Sequence, residues 1–201
     1  MGWKKFQLKM ATEGIIMTEQ EAKRIVYLYR NTYAKIPTLW KDFGYAVETF
    51  LTDRSAMYPW RGLIFAHERI VLPNGMPIVY PGIVRTPRGV GFKGRFSKAA
   101  MGDAISDQYS DLTHVWGGAI TENVAQALAR IILTRAELKL AAMGIITALQ
   151  VHDELVFSIP TVLVERVKKV IADVMTEVVP WLPDLPVAVE IHHGPDYGSA
   201  K

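Results

Sequence analysis

Three polar residues, His152-Asp153-Glu154, sit together in the middle of a largely apolar run from Leu149 to Ile159. Two adjacent carboxylates with no cationic neighbour in sequence are costly to desolvate, so they must face solvent, a partner or a metal ion. Carboxylate oxygens are hard donors of the kind that magnesium takes, which makes Asp153 and Glu154 a candidate magnesium site. The plainer reading is a hairpin turn with solvated charges, since acidic residues at turns are ordinary.

The triplet has to be positioned by what flanks it. Leu149 and Val151 before it, and Leu155, Val156, Phe157 and Ile159 after it, read as two short buried strands meeting at the polar residues. A helix is expected to lead into this hairpin from Thr121, as its cap, to about Ala142, with Ala125, Leu128, Ile132 and Ala136 buried and Gly144 ending it. Another follows over Val162 to Val179, with Leu163, Val167, Val170, Ile171, Val174 and Val178 facing inward. Pro180, Pro183 and Pro186 then prevent further helix, and Val187 to Ile191 reads as a last strand.

Earlier in the chain, Thr18-Glu-Gln-Glu21 is a capping box that starts a helix. Its apolar stripe, Ala22, Ile25, Val26, Tyr29 and Tyr33, is expected to be core. Pro37 opens a second helix that buries Leu39, Trp40, Phe43, Val47 and Phe50. Two β-rich runs bracket Asn74-Gly75, the strongest short hairpin signal in the chain. Gly82 to Phe96 adds strand candidates that carry Arg85, Arg88, Lys93 and Arg95, a basic ribbon that either contacts phosphates or is simply solvated. Lys98 to Ser110 reads as a connection or short irregular helix. Met1 to Gln7 opens with neither cap nor turn, like a larger element entered partway, and its Lys4 and Lys5 are either phosphate contacts or solvated charges.

The segment Gln150-Val-His-Asp-Glu-Leu-Val-Phe157 closely resembles motif C of the family A DNA polymerases. The resemblance extends in order along nearly the whole chain. Tyr80-Pro81-Gly82 follows a hairpin in the place of a Leu-Pro-Ser-Gly-Arg hairpin. The series from Trp116-Gly117-Gly118 through Glu122-Asn123 to Gln126-Ala-Leu-Ala-Arg130 is similar to that of phage-type enzymes, and the tail from Gly194 to Lys201 resembles the family's closing pattern. The single-subunit RNA polymerases, with a His-Asp-Ser-like motif, are more distant, because Glu154 and the Leu-Val-Phe after it look like the DNA enzymes.

The resemblance implies an α+β fold, with an antiparallel palm sheet packed by long helices. Residues 1–60 would be the end of the fingers and 61–201 the palm. It implies catalytic roles for Asp153, Glu154 and His152, with Asp153 and Glu154 at the metals and His152 near the primer terminus. Glu122, Asn123 and Gln126 would join His152 as a face reading the primer–template minor groove, although spacing alone favours a solvated helix end. The cofactor would be a pair of magnesium ions, which stabilise the attacking and leaving oxygens of phosphoryl transfer. Motifs A and B, with the second metal-binding Asp and the nucleotide-gripping Lys, Arg and Tyr, are missing from the sequence, so an upstream polypeptide is expected as partner alongside primer–template DNA and dNTP. The alternative is an inactive polymerase remnant that binds DNA weakly. One departure concerns the nucleotide: Met76 stands where the family carries an Arg or Lys, so either Arg69 substitutes or nucleotide binding is weakened.

Composition sets outer bounds. The 201 residues suffice for one substantial core, or for a domain with a smaller lobe. No apolar run reaches the length of a membrane span, and the start lacks a signal-peptide pattern, so a cytoplasmic protein is expected. The absence of cysteine excludes disulfides and thiolate metal sites. His192, His193 and Glu190 fit no standard zinc spacing. A formal charge of +3 permits nucleic-acid binding without arguing for it.

Overall fold

The computed structural model describes residues 2–94 and 112–200. Arg95 and the Lys98–Ser110 connection lie outside the described residues. The fold is α+β. Five helices are described: α1 (Trp3–Thr12), α2 (Glu19–Thr32), α3 (Lys35–Thr52), α4 (Gly117–Ala142) and α5 (Val164–Met175). Nine short strands form three antiparallel sheets. β1 (Tyr58–Trp60), β2 (Leu63–Ala66), β3 (Arg69–Val71) and β4 (Pro77–Val79) make a meander, β5 (Val84–Thr86), β6 (Gly89–Phe92) and β7 (Thr113–Val115) a second sheet, and β8 (Thr147–Val151) with β9 (Glu154–Phe157) a lone hairpin. The chain divides into two compact units, Met1–Asp53 with Ile83–Thr121, and Arg54–Gly82 with Glu122–Lys201.

In the first unit, α2 starts at the expected capping box: the Glu21 N–H donates to Thr18 Oγ1 at 3.2 Å and the Thr18 N–H to Glu21 Oε2 at 2.8 Å. Those bonds favour the charged carboxylate and hold the Glu21 pKa below the usual range. The stripe on α2 is not core, however. Only Ala22 is buried, while Ile25, Tyr29 and Tyr33 are exposed. α1, the helix packed on α2, buries none of its own residues either and leaves most of the stripe open. What it does offer is Trp3, whose ring takes Lys23 Nζ at 4.8 Å.

α3 begins at Lys35, two residues before Pro37, and buries Phe43, Ala46, Val47 and Phe50; Leu39 and Trp40 stay half-buried. α4 begins four residues before Thr121. Thr121 is therefore no cap, and its hydroxyl donates back to the Gly117 carbonyl at 2.7 Å. The earlier start follows from close packing, because a Cβ on Gly117 would overlap the Trp40 carbonyl of α3. Trp40 and Trp116 meet edge to face beside it, with ring centroids 5.5 Å apart.

In the second unit, α4 buries Val124, Leu133, Ala136 and Leu140, a face rotated from the expected one, with Ala125 exposed. Its end is a Schellman turn at Gly144, where the Ile145 N–H donates to Leu140 O and the Gly144 N–H to Ala141 O, each at 2.9 Å. Ala136 and Leu140 pack with Ile171 and Val174 of α5, and Ile145, Phe157, Val167 and Ile191 close around them. Burying each such large aliphatic side chain contributes about 1.5–3 kcal/mol. This cluster seats the β8–β9 hairpin through Phe157.

Two expected elements are shorter than their patterns. α5 spans only Val164–Met175, preceded by a 3-10 turn at Thr161–Leu163, so Val178 is exposed and Val179 is the buried residue instead. Arg135 and Lys139 of α4 both reach Glu177 just past the helix end, which holds the chain there. Val187 to Ile191 forms no strand, although its side chains still alternate between half-buried and exposed. The alternation comes from the core beneath Ile191; a strand also needs a hydrogen-bonded ladder, and a groove of about 740 Å³ is lined by β9, α5 and residues 189–197.

Candidate active site

β8 and β9 pair through Thr147–Phe157, Leu149–Val156, Gln150–Leu155 and Val151–Glu154, with an irregularity between Thr147 and Leu149. His152 and Asp153 make the turn, and Glu154 is the first residue of β9 rather than part of it. The strands are half-buried at best, with Leu149 49% exposed, so the hairpin stands out from the core instead of running through it. Of the two turn residues His152 alone has positive φ, 52°. A two-residue turn with that pattern is ordinarily filled by glycine at its first position. A histidine there holds a backbone conformation that costs on the order of 1 kcal/mol or more.

The two carboxylates differ. Asp153 is exposed and makes no hydrogen bond or ion pair among the described residues. Glu154 is exposed too, but its Oε2 accepts from the Tyr197 hydroxyl at 3.1 Å, and that bond raises the tyrosine pKa. Two adjacent hard-oxygen donors, one of them free, fit a magnesium ion in chemistry. They do not complete a site, for among the described residues no group of three or more His, Asp or Glu could hold a metal. Gln150 adds a donor that sequence reasoning assigned no role: its Nε2 is buried and has no hydrogen-bond partner among the described residues. Its place two residues before His152 is the only signal that pointed there.

Of the α4 residues, Glu122, Asn123 and Gln126 are all exposed. Asn123 is committed: its Nδ2 donates at 3.0 Å to the hydroxyl of Tyr80, a ring buried beside β4, whose pKa burial raises. Glu122 and Gln126 make no side-chain hydrogen bond among the described residues, and no hydrogen bond joins the three to His152. On the ribbon, Arg85 pairs with Glu48 of α3, whereas the side chains of Arg88 and Lys93 have no ion pair among the described residues. Arg69 starts β3 and Met76 sits by the turn that follows it, so the two backbones are roughly 10 Å apart along the strand.

The chain is 28% identical over 196 residues, 94% of its length, to a DNA polymerase of Bacillus phage SP02. It spans 29% of that protein's length. No family model matches the chain, and no solved structure does. The chain is therefore related in sequence to a phage DNA polymerase. No helix among the described residues is long and apolar enough to cross a membrane.

Proposed function

We propose that this chain is the C-terminal part, or a split subunit, of a family A DNA-directed DNA polymerase, with residues 1–60 from the fingers and 61–201 forming the palm. The observation that carries the reading is Asp153: a free carboxylate at a hairpin apex in a chain related to a phage polymerase. The reaction is attack of a primer 3′-hydroxyl on the α-phosphorus of a dNTP, with release of pyrophosphate. Bound magnesium supplies charge neutralisation at the attacking and leaving oxygens.

In this reading Asp153 and Glu154 contribute the chain's share of the metal ligands. His152 approaches the primer end. Glu122, Gln126 and the remaining carbonyl of Asn123 face the minor groove, where acceptors shared among base pairs make contacts largely independent of sequence. The partner is an upstream polypeptide that supplies the second Asp and the nucleotide-gripping residues. One Asp–Glu pair cannot hold two divalent ions against their repulsion, so the chain by itself is inactive.

Primer extension tests this. The purified chain adds no nucleotide; combined with the upstream polypeptide it does, and Asp153→Asn in that complex removes turnover by about a thousandfold or more while DNA affinity stays within a few fold. Incorporation near the wild-type rate by Asp153→Asn rejects the assignment. A complex that binds DNA but never extends a primer favours the inactive remnant.

A further inference from the structure

β9 is bonded by β8 along one edge only, so its other edge carries unpaired backbone N–H and C=O groups. Residues 187–191 are in the same condition. Their side chains alternate with the period of a strand, yet they make no backbone hydrogen bond among the described residues. Between the two runs lies the groove of about 740 Å³, with β9, Ser158 and Ile159 along one wall and residues 189–197 along the other. Its floor is apolar: Val164, Val167, Ile171 and Met175 of α5, spaced three to four residues apart and so on one side of the helix. The walls are tied at one end, where Ile191 packs into the core cluster and the Tyr197 hydroxyl donates to Glu154 Oε2 at 3.1 Å. Residues 187–191 are thereby anchored beside β9 without being laddered to it.

The size of the groove says what fits it. A strand laid between two others takes about 160 Å³ per residue, given spacings of about 4.8 Å between strands and about 10 Å between layers and a rise of about 3.3 Å. The groove therefore holds about four to five extended residues, the length of β9 and of residues 187–191. We propose that it seats one extended segment of the upstream polypeptide, which enters as a strand between β9 and residues 187–191 and bonds to both. This rests on the polymerase reading, in which another polypeptide supplies the rest of the enzyme; the related phage protein has most of its length outside the matched region. Strand addition takes affinity from main-chain hydrogen bonds and selectivity from alternate side chains. The segment is accordingly about five residues long, free of proline, and apolar at the alternate positions that meet α5.

The test is hydrogen exchange, read amide by amide, in the full chain alone and combined with the upstream polypeptide. Alone, the β9 amides on the groove side and those of residues 187–191 exchange freely; in the complex, alternate amides of both runs slow by about a hundredfold or more. Val164→Arg places a cation over the groove floor without entering the core cluster, and is expected to weaken the complex by about tenfold or more at an unchanged thermal midpoint of the chain. Protection of both runs in the monomeric chain means that residues 187–191 close on β9 themselves, and protection that appears only as the chain dimerises means that a second copy fills the groove; either overturns the proposal. So does a Val164→Arg chain that binds like wild type. A complex that extends primers while these amides exchange as before overturns the inserted strand and leaves the polymerase reading standing, whereas failure to form any complex removes both.

Discussion

Two hairpins of this protein solve the same problem in opposite ways. Between β3 and β4 the chain turns through Leu72-Pro-Asn-Gly-Met76, and the left-handed position falls on Gly75, φ 83°. Its backbone is satisfied within the turn: Gly75 N–H to Leu72 O and Leu72 N–H to Met76 O at 2.8 Å, with Asn74 Oδ1 accepting from the Met76 N–H at 3.1 Å. Between β8 and β9 the left-handed position falls on His152, and the Asp153 side chain caps nothing. In the first hairpin glycine takes the left-handed conformation and the polar side chain closes the turn. At the candidate site the conformation falls on an imidazole and a carboxylate is left unmatched; Arg61 (φ 44°) and Glu68 (φ 61°) hold a left-handed backbone in the β1–β2 and β2–β3 turns as well, so it is the unmatched carboxylate that sets this hairpin apart.

The sharpest way to break this comparison is to give the second hairpin ordinary turn chemistry. His152→Gly with Asp153→Asn should raise stability by up to about 1 kcal/mol, since glycine suits the first position of such a turn. Nucleotide incorporation in the complex should fall by about a thousandfold or more. Thermal unfolding beside primer extension checks both, and lower stability would mean that His152 is held by contacts and carries no backbone penalty. The reverse experiment is smaller. Gly75→Ala has open space around its Cβ, so only the backbone objects, at about 1–2 kcal/mol. Denaturant midpoints should move accordingly while incorporation stays within a few fold.

The smallest effect lies away from both turns and calibrates them. Hydrogen bonding from Lys139, then the charges of Lys139 and Arg135, lower the Glu177 pKa in the folded chain. A carboxyl lowered on folding stabilises fully above its unfolded value, and that contribution fades as pH falls through the lowered folded value. Glu177→Gln should thus be slightly destabilised at neutral pH and indistinguishable from wild type in acid, as midpoints measured across that range will report. This effect should also shrink in high salt, because the group is partly exposed.

Much of the local structure is written in short stretches. The capping box at Thr18–Glu21, the Asn74-Gly75 hairpin, the helix stop at Gly144 and the hairpin around His152-Asp153 depend on neighbours within about six residues, so residue type and spacing settle them. The acidic pair of the candidate site belongs to the same class. Its chemistry is carried by adjacent residues, and no long-range contact is needed to place Glu154 next to Asp153.

Burial and termination are different, because they depend on what arrives from elsewhere. The stripe on α2 has the period of a buried face but lies open apart from Ala22, because burial needs a covering partner that the period does not encode. α4 starts early because Gly117 lets the backbone pass against Trp40, a residue 77 positions away. Val187 to Ile191 alternates like a strand and has no ladder partner, since periodicity encodes a face and not the neighbour that would bond to it. Most consequentially, the two carboxylates of the triplet are alike in sequence, and only the fold makes them unequal, by bringing Tyr197 across 43 positions to Glu154 and leaving Asp153 free. Sequence determines which groups the site contains; the tertiary structure decides which of them is held, because a hydrogen bond acts over ångströms and the chain must close before those can be counted.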